Sequence, residues 1–156
     1  MTAKAQFLKK LQDQQSRKGA GEGGNQADIT EFRQRIGELQ ENIETWLSGT
    51  GIGIEETSVS LIEYLIGGKA FTVPGIILRY ENQTVEFTPI FLYGQGVTGC
   101  VEVTFSENGK STSPYRLYMR SSENSHWTWS STGSGWAPRR ALNEDAFFEL
   151  MSRLLA

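Results

Sequence analysis

The sequence is poor in the residues on which many catalytic and metal sites depend. It has one cysteine, Cys100, and one histidine, His126, among 156 residues. A zinc site built from cysteine and histidine needs about four such ligands, so one chain cannot supply it. A lone cysteine cannot form a disulfide within the chain, and this favours a reducing compartment such as the cytoplasm.

Long apolar runs are also missing. No stretch approaches the roughly 18 apolar residues of a membrane-spanning helix, and residues 1–15 lack the apolar core of a signal peptide. The net charge is −3 and the pI about 5.3. Nucleic acids and anionic membranes attract basic surfaces, so this charge argues against wholesale binding to either. We therefore expect a cytoplasmic protein that does not bind membranes.

Glycine is concentrated near the N-terminus, in residues 18–26, which read KGAGEGGNQ. This composition is typical of a flexible linker. The preceding residues 4–17 have a thin apolar side and favour no more than a short helix. We predict an N-terminal arm over residues 1–26 and a single folded domain over residues 27–156.

An amphipathic helix is predicted after the arm, over residues 28–48. Asp28 is a favoured N-cap residue, and Glu31 three positions later suits a capping box. Gly49 suits the left-handed position that ends many helices. Spacings of three and four predict one apolar stripe, formed by Ile29, Phe32, Ile36, Leu39, Ile43 and Trp46. The stripe packs on the protein's own sheet or, as the alternative, pairs two chains as a homodimer through the 28–48 helix.

Strand-forming residues then dominate, and short turn signals separate the segments. Asn108-Gly109 is the clearest of these turns. The predicted strands are residues 57–66, 76–80, 85–91, 101–105, 115–120 and 127–129. Short connections of this kind indicate that consecutive strands are antiparallel neighbours.

The C-terminal residues return to helix. Asn143 is the predicted N-cap, and Glu144 and Asp145 suit the first turn, where the helix dipole favours anions. Helix, strands and helix without β-α-β alternation predict an α+β fold. Its expected architecture is an antiparallel β-meander of about six strands flanked by an N-terminal amphipathic helix and a C-terminal helix.

Two patterns resemble functional motifs, and each has a simpler interpretation. A Cys-His dyad would have to come from Cys100 and His126, but a small unreactive cysteine and an incidental histidine are the simpler interpretation. Residues 94–99 match G-x-G-x-x-G. A dinucleotide site needs a helix after that motif, and here a strand follows, which favours a turn or bulge. We predict no catalytic residues, no metal and no cofactor.

Two groups of residues have the character of contact surfaces. Arg116, Tyr118 and Arg120 alternate along a predicted strand and so share one face. Arginines interleaved with an aromatic residue can hold single-stranded nucleic acid by stacking and phosphate contacts. The second group lies in a loop and contains Trp136, Arg139 and Arg140; tryptophan and arginine often dominate the energy of protein interfaces.

The sequence therefore leaves three functional hypotheses. The first is a non-catalytic protein-binding module of the inhibitor, immunity-protein, chaperone or adaptor type, an analogy of size and acidity only. The alternatives are a single-stranded nucleic-acid-binding domain that uses the Arg116, Tyr118 and Arg120 face, and an enzyme without a recognisable motif. The expected partner is a protein; nucleic acid is the less favoured partner because the domain is acidic.

Overall fold

The computed structural model describes residues 2–8, 23–63, 68–94, 97–121, 126–132 and 139–155. The described residues form two main helices and seven strands. In chain order they are α1 (Gly23–Trp46), β1 (Gly53–Glu63), β2 (Lys69–Tyr80), β3 (Gln83–Gly94), β4 (Val97–Glu107), β5 (Lys110–Ser121), β6 (Thr128–Ser131), β7 (Arg140–Ala141) and α2 (Glu144–Met151). A 3-10 turn, Ser152–Leu155, follows α2, and residues 3–8 form a short helical segment.

The strands form one antiparallel sheet whose spatial order is the chain order, from β1 to β7. This confirms the predicted α+β meander. Each of the six predicted segments overlaps a strand, and the sequence pattern missed only the two-residue β7. The β4–β5 turn has positive φ at both Asn108 and Gly109, as a two-residue hairpin turn requires.

Helix α1 lies on the sheet through its apolar stripe. The side chains of Ile29, Phe32, Ile36, Leu39 and Ile43 are at most 5% exposed and belong to the core. The spacing of these residues is therefore explained by packing within the domain. Gly49 has a φ of +84°, which fits its predicted place after the helix.

The predicted start of α1 was wrong. The helix begins at Gly23, so it includes residues 23–26 of the predicted arm, and Asp28 lies inside it rather than at its N-cap. The Asp28 carboxylate accepts hydrogen bonds from Arg120 and from the Tyr93 hydroxyl. A tertiary contact therefore uses the side chain that the sequence pattern assigned to capping. The remaining linker residues, 18–22, lie outside the described part of the chain.

The β1–β2 hairpin diverges from the rest of the sheet. β2 pairs with β3 only through residues 76–80, whereas it pairs with β1 along residues 69–79. Helix α1 fills the divergence, where Arg33 Nε donates to the Thr72 carbonyl at 2.7 Å. The Glu63 carboxylate at the end of β1 accepts a hydrogen bond from the Tyr93 amide of β3 at 3.3 Å. Along this part of the sheet, hydrogen bonds from β2 to α1 and from β3 to β1 thus take the place of pairing between β2 and β3.

The C-terminal helix packs beside α1 on the same face of the sheet. The predicted N-cap is confirmed, since Asn143 Oδ1 accepts from the Ala146 amide at 2.8 Å. Phe147 is buried, and its ring centroid lies 5.1 Å from that of Trp46. Both helices therefore share one apolar layer with the sheet. Among the described residues, no helix is long and apolar enough to cross a membrane.

Candidate binding face of the sheet

The face of the sheet that points away from both helices is polar. Val101, Val103 and Leu117 belong to the core beneath the helices, and residues alternating with them point the opposite way. We call the resulting surface the polar face; it contains Thr88, Glu102, Thr104, Ser113, Arg116, Tyr118 and Ser130. Most of these side chains are half-buried by their neighbours.

Strand register places the polar side chains in rows. In one row Glu102 of β4 lies opposite Arg116 of β5, which lies opposite Ser130 of β6. In the next row Tyr118 lies between Cys100 and Thr128. The sequence prediction that Arg116 and Tyr118 share a face is therefore consistent with the ladder.

Arg116 is partly neutralised by its neighbour. One of its terminal nitrogens lies 3.6 Å from a carboxylate oxygen of Glu102, and the two side chains are 39% and 29% exposed. Its Nε atom is buried without a hydrogen-bond partner. This guanidinium thus has one buried unpaired donor and a carboxylate beside it, so the row is not uniformly positive.

Tyr118 is the best-defined aromatic group of the polar face. The Arg139 guanidinium carbon lies 4.6 Å from the centroid of its ring, within cation–π range. The Tyr118 hydroxyl lies 3.3 Å from Ser130 Oγ. The stacked cation and this hydrogen bond both limit movement of the ring. The structure therefore joins two predicted contact residues from separate parts of the sequence.

Arg120 has a different role from the one predicted for it. One of its terminal nitrogens lies 2.7 Å from Asp28 and 3.0 Å from Glu31, both on α1. The guanidinium therefore holds the helix to β5. Desolvation and the neighbouring Asp28 carboxylate raise the pKa of the Tyr93 hydroxyl above its ordinary value, so Tyr93 stays a proton donor to Asp28.

Cys100 is unsuited to nucleophilic chemistry. Its side chain is 0% exposed, and burial raises the pKa of the thiol to about 12. The reactive form of cysteine is the thiolate, which is scarce at neutral pH when the pKa is that high. His126 is exposed, close to the start of β6. The burial of the thiol therefore argues against the Cys-His dyad.

The glycine motif runs from the end of β3 into β4, so it is followed by a strand, as predicted. Gly94 ends β3 and Gly99 lies in β4; residues 95 and 96 are outside the described part of the chain. Gly99 has a φ of +76°, and a Cβ there would lie 2.8 Å from Met119 Cβ and 3.0 Å from the Phe32 ring. Close packing of α1 on the sheet therefore explains this glycine.

The remaining predicted contact residues are only partly placed. Arg140 is exposed in β7, opposite Trp129, whereas Trp136 lies outside the described residues. Within the part of the chain that the structure describes, no group of three or more histidine, cysteine, aspartate or glutamate side chains could hold a metal ion.

Sequence reasoning missed two pairings across long stretches of chain. The Asp28–Arg120 pair joins residues 92 positions apart, and the stacking of Arg139 on Tyr118 joins β5 to the segment before β7. The first pairing had no signal in the sequence, because Asp28 fits an N-cap after the glycine-rich segment equally well. The stacking of Arg139 on Tyr118 also had no signal in the sequence, because the predicted six strands did not include β7.

Comparisons of the chain with protein-family models, with curated proteins and with solved structures found no match in any of the three.

Proposed function

We propose that this protein is a non-catalytic module that binds another protein in the cytoplasm through the polar face. The observation that carries the proposal is the stacked Tyr118–Arg139 pair, which lies on the side of the sheet opposite both helices. Tyrosine and arginine are enriched among the residues that dominate interface energies. The single cysteine supports a reducing compartment.

The pair is suited to act as an anchor because its geometry is set before a partner arrives. The ring of Tyr118 contacts Arg139 on one side and its hydroxyl lies near Ser130. Ordering a side chain on binding opposes association, by about 0.5–1.5 kcal/mol for a rotamer-rich group. A prearranged tyrosine and arginine avoid part of that loss.

The charges around the pair favour a protein over a nucleic acid. Of the three residues in the nucleic-acid hypothesis, Arg120 is held by Asp28 and Glu31, and Arg116 faces Glu102. A phosphate track needs cations that are available to neutralise phosphates. A surface of mixed charge with many hydroxyl groups instead matches the polar rim and hydrogen bonding of protein interfaces.

The test is capture from lysate of the native cells, compared between the wild type and two variants. The wild type should capture one protein in stoichiometric amount, and nuclease treatment should not remove it. Tyr118→Ala should abolish this capture. Arg79→Ala is the control and should capture the protein as the wild type does. Arg79 resembles Arg116 in pairing with a glutamate, Glu55 at 3.0 Å, but it lies at the β1–β2 side of the sheet. Equal capture by Tyr118→Ala and the wild type would overturn the assignment of the polar face.

A second measurement separates the nucleic-acid hypothesis. Binding of a fluorescent oligothymidine at low and high salt would reveal phosphate contacts, since each contact releases counterions and steepens the salt dependence. The proposal expects no saturable binding near physiological salt. Saturable, salt-sensitive binding that Arg116→Ala weakens would favour the nucleic-acid function instead.

A further inference from the structure

Strand β1 presents a long edge that the described residues leave without a neighbour. It is 11 residues long and lies at the end of the strand order. Its side chains are mostly exposed, and Ile62 is 60% exposed. Alternate residues of such a strand direct their N–H and C=O groups away from the sheet. The strand, GIEETSVSLIE, contains neither lysine nor proline, residues that commonly protect an edge from further pairing.

The sequence of β1 is complementary to its own reverse. The full strand, Gly53–Glu63, overlaps a second antiparallel copy when its middle residue, Ser58, lies on the two-fold axis. That register places Ile54 opposite Ile62, Glu55 opposite Leu61, Glu56 opposite Ser60 and Thr57 opposite Val59. No glutamate then faces another glutamate across the strands. Like charges directly opposite one another destabilise a strand pair.

Neighbouring registers are less favourable. With the axis at Val59, Glu55 would face Glu63. With the axis at Thr57 no glutamates face each other, but only nine residues of the strand overlap and Ile62 lies beyond the paired segment. In the register centred on Ser58, Glu55 also keeps its ion pair with Arg79, at 3.0 Å within the same chain. Ile62 would leave water and lie beside Ile54, which packs against the core.

We propose that two copies of this chain pair through β1, in antiparallel register about Ser58, to form one continuous sheet. The contact is symmetric, so a single strand supplies both sides of the interface. The interface is separate from the polar face and does not depend on the proposed function. It also differs from the alternative considered above, in which two chains pair through α1.

Cross-linking at the proposed axis tests the register directly. In the full-length protein, Ser58→Cys would bring the two Cα atoms to about 4.5–5.5 Å, within the range of about 4.4–6.8 Å that a disulfide spans. Ser60→Cys is the matched control, since it is equally exposed but would lie about 13 Å from its copy, four residues along the strand. The native Cys100 is buried and does not compete.

We expect mild oxidation to convert Ser58→Cys to a covalent dimer and to leave Ser60→Cys monomeric on a non-reducing gel. Light scattering of the wild type should give about twice the monomer mass of 17.4 kDa, and Ile62→Lys should shift the mass toward the monomer. Equal cross-linking of the two cysteine variants, or a monomer at high concentration, would overturn the proposal. A dimer that Ser58→Cys does not trap would assign pairing to another surface, such as α1.

Discussion

The Arg120 guanidinium lies 2.7 Å from the Asp28 carboxylate and joins β5 to α1 across 92 positions of sequence. The same carboxylate accepts a hydrogen bond from Tyr93 on β3. One acidic side chain on the helix thus contacts two non-adjacent strands, which fixes where the helix lies across the sheet.

Loss of this carboxylate should loosen the helix. We predict that Asp28→Ala lowers the free energy of unfolding by about 1–2 kcal/mol, since it removes the hydrogen bond from the Tyr93 hydroxyl and one of the two carboxylates that pair with Arg120. Partial exposure of the pair keeps the loss below that of a buried ion pair. Urea denaturation measures the change. Glu38→Ala, on the exposed side of the same helix, should change stability by less than about 0.5 kcal/mol. Similar losses for the two variants would contradict this role for Asp28.

Two glycines separate backbone strain from packing. Gly99 and Gly109 both have positive φ, +76° and +80°, but only Gly99 would bring a Cβ against Met119 and Phe32. We predict that Gly109→Ala lowers stability by about 1 kcal/mol through strain alone, and that Gly99→Ala lowers it by at least about 1 kcal/mol more because α1 must shift. Thermal or urea unfolding of both variants measures the difference. Equal losses would show that the helix does not pack on Gly99 as described.

Cys100 should not react with thiol reagents until the protein unfolds. With a pKa raised to about 12, the folded thiol should react with a disulfide reagent at pH 8 more than about a hundredfold more slowly than the unfolded thiol. Ser60→Cys supplies an exposed cysteine in the same protein for comparison. Rapid modification of one thiol in the folded wild type would show that Cys100 is accessible.

The raised pKa of Cys100 also makes the free energy of unfolding depend on pH in alkaline solution. An unfolded thiol ionises near its ordinary pKa of 9.0, whereas the folded thiol keeps its proton up to about 12. The native state therefore binds more protons in that window, and the free energy of unfolding falls as pH rises through it. Below pH 9.0 the contribution is fully present. Cys100→Ala should reduce the slope between these pH values, while the part due to Tyr93, whose pKa is also raised, remains.

Trp136 is predicted to contribute to partner binding although its placement is outside the described residues. It precedes Arg139 by three positions in the sequence, and Arg139 stacks on Tyr118. Trp136→Ala should weaken capture of the protein partner by roughly 2 kcal/mol or more, as expected for an interface anchor. Titration calorimetry with the identified partner measures this loss. An unchanged affinity would restrict the contact to Tyr118 and its neighbours on the polar face.

The sequence specified the elements better than their contacts. Alternation along β4 and the stripe on α1 depend on which residues face the core, and that information is local. Asn143 was recognised as a cap for the same reason, since its partner Ala146 is three residues away. Asp28 was misassigned because its partners, Arg120 and Tyr93, become neighbours only when the sheet forms. Pattern reasoning also missed β7, because two residues carry no periodicity.

In the candidate site, too, the features that depend on local sequence could be predicted and the contacts between distant residues could not. That Arg116 and Tyr118 share a face follows from strand periodicity, whereas the removal of Arg120 from that surface follows from its ion pairs with α1. The approach of Arg139 to Tyr118 requires the chain to return after β6. The alternation of side chains along a strand predicts neither the ion pairs of Arg120 nor the path of the chain after β6.

Strand order that follows chain order has a consequence for synthesis. Each hairpin can close as soon as its second strand has left the ribosome, because no strand waits for a distant neighbour. The helix α1 is made before all the strands, yet its contacts with Met119 and Arg120 lie on β5. The hydrogen bond from Arg33 to Thr72 on β2 can form earlier. We therefore expect α1 to dock in steps, and part of its apolar stripe to stay exposed to solvent until β5 has been made.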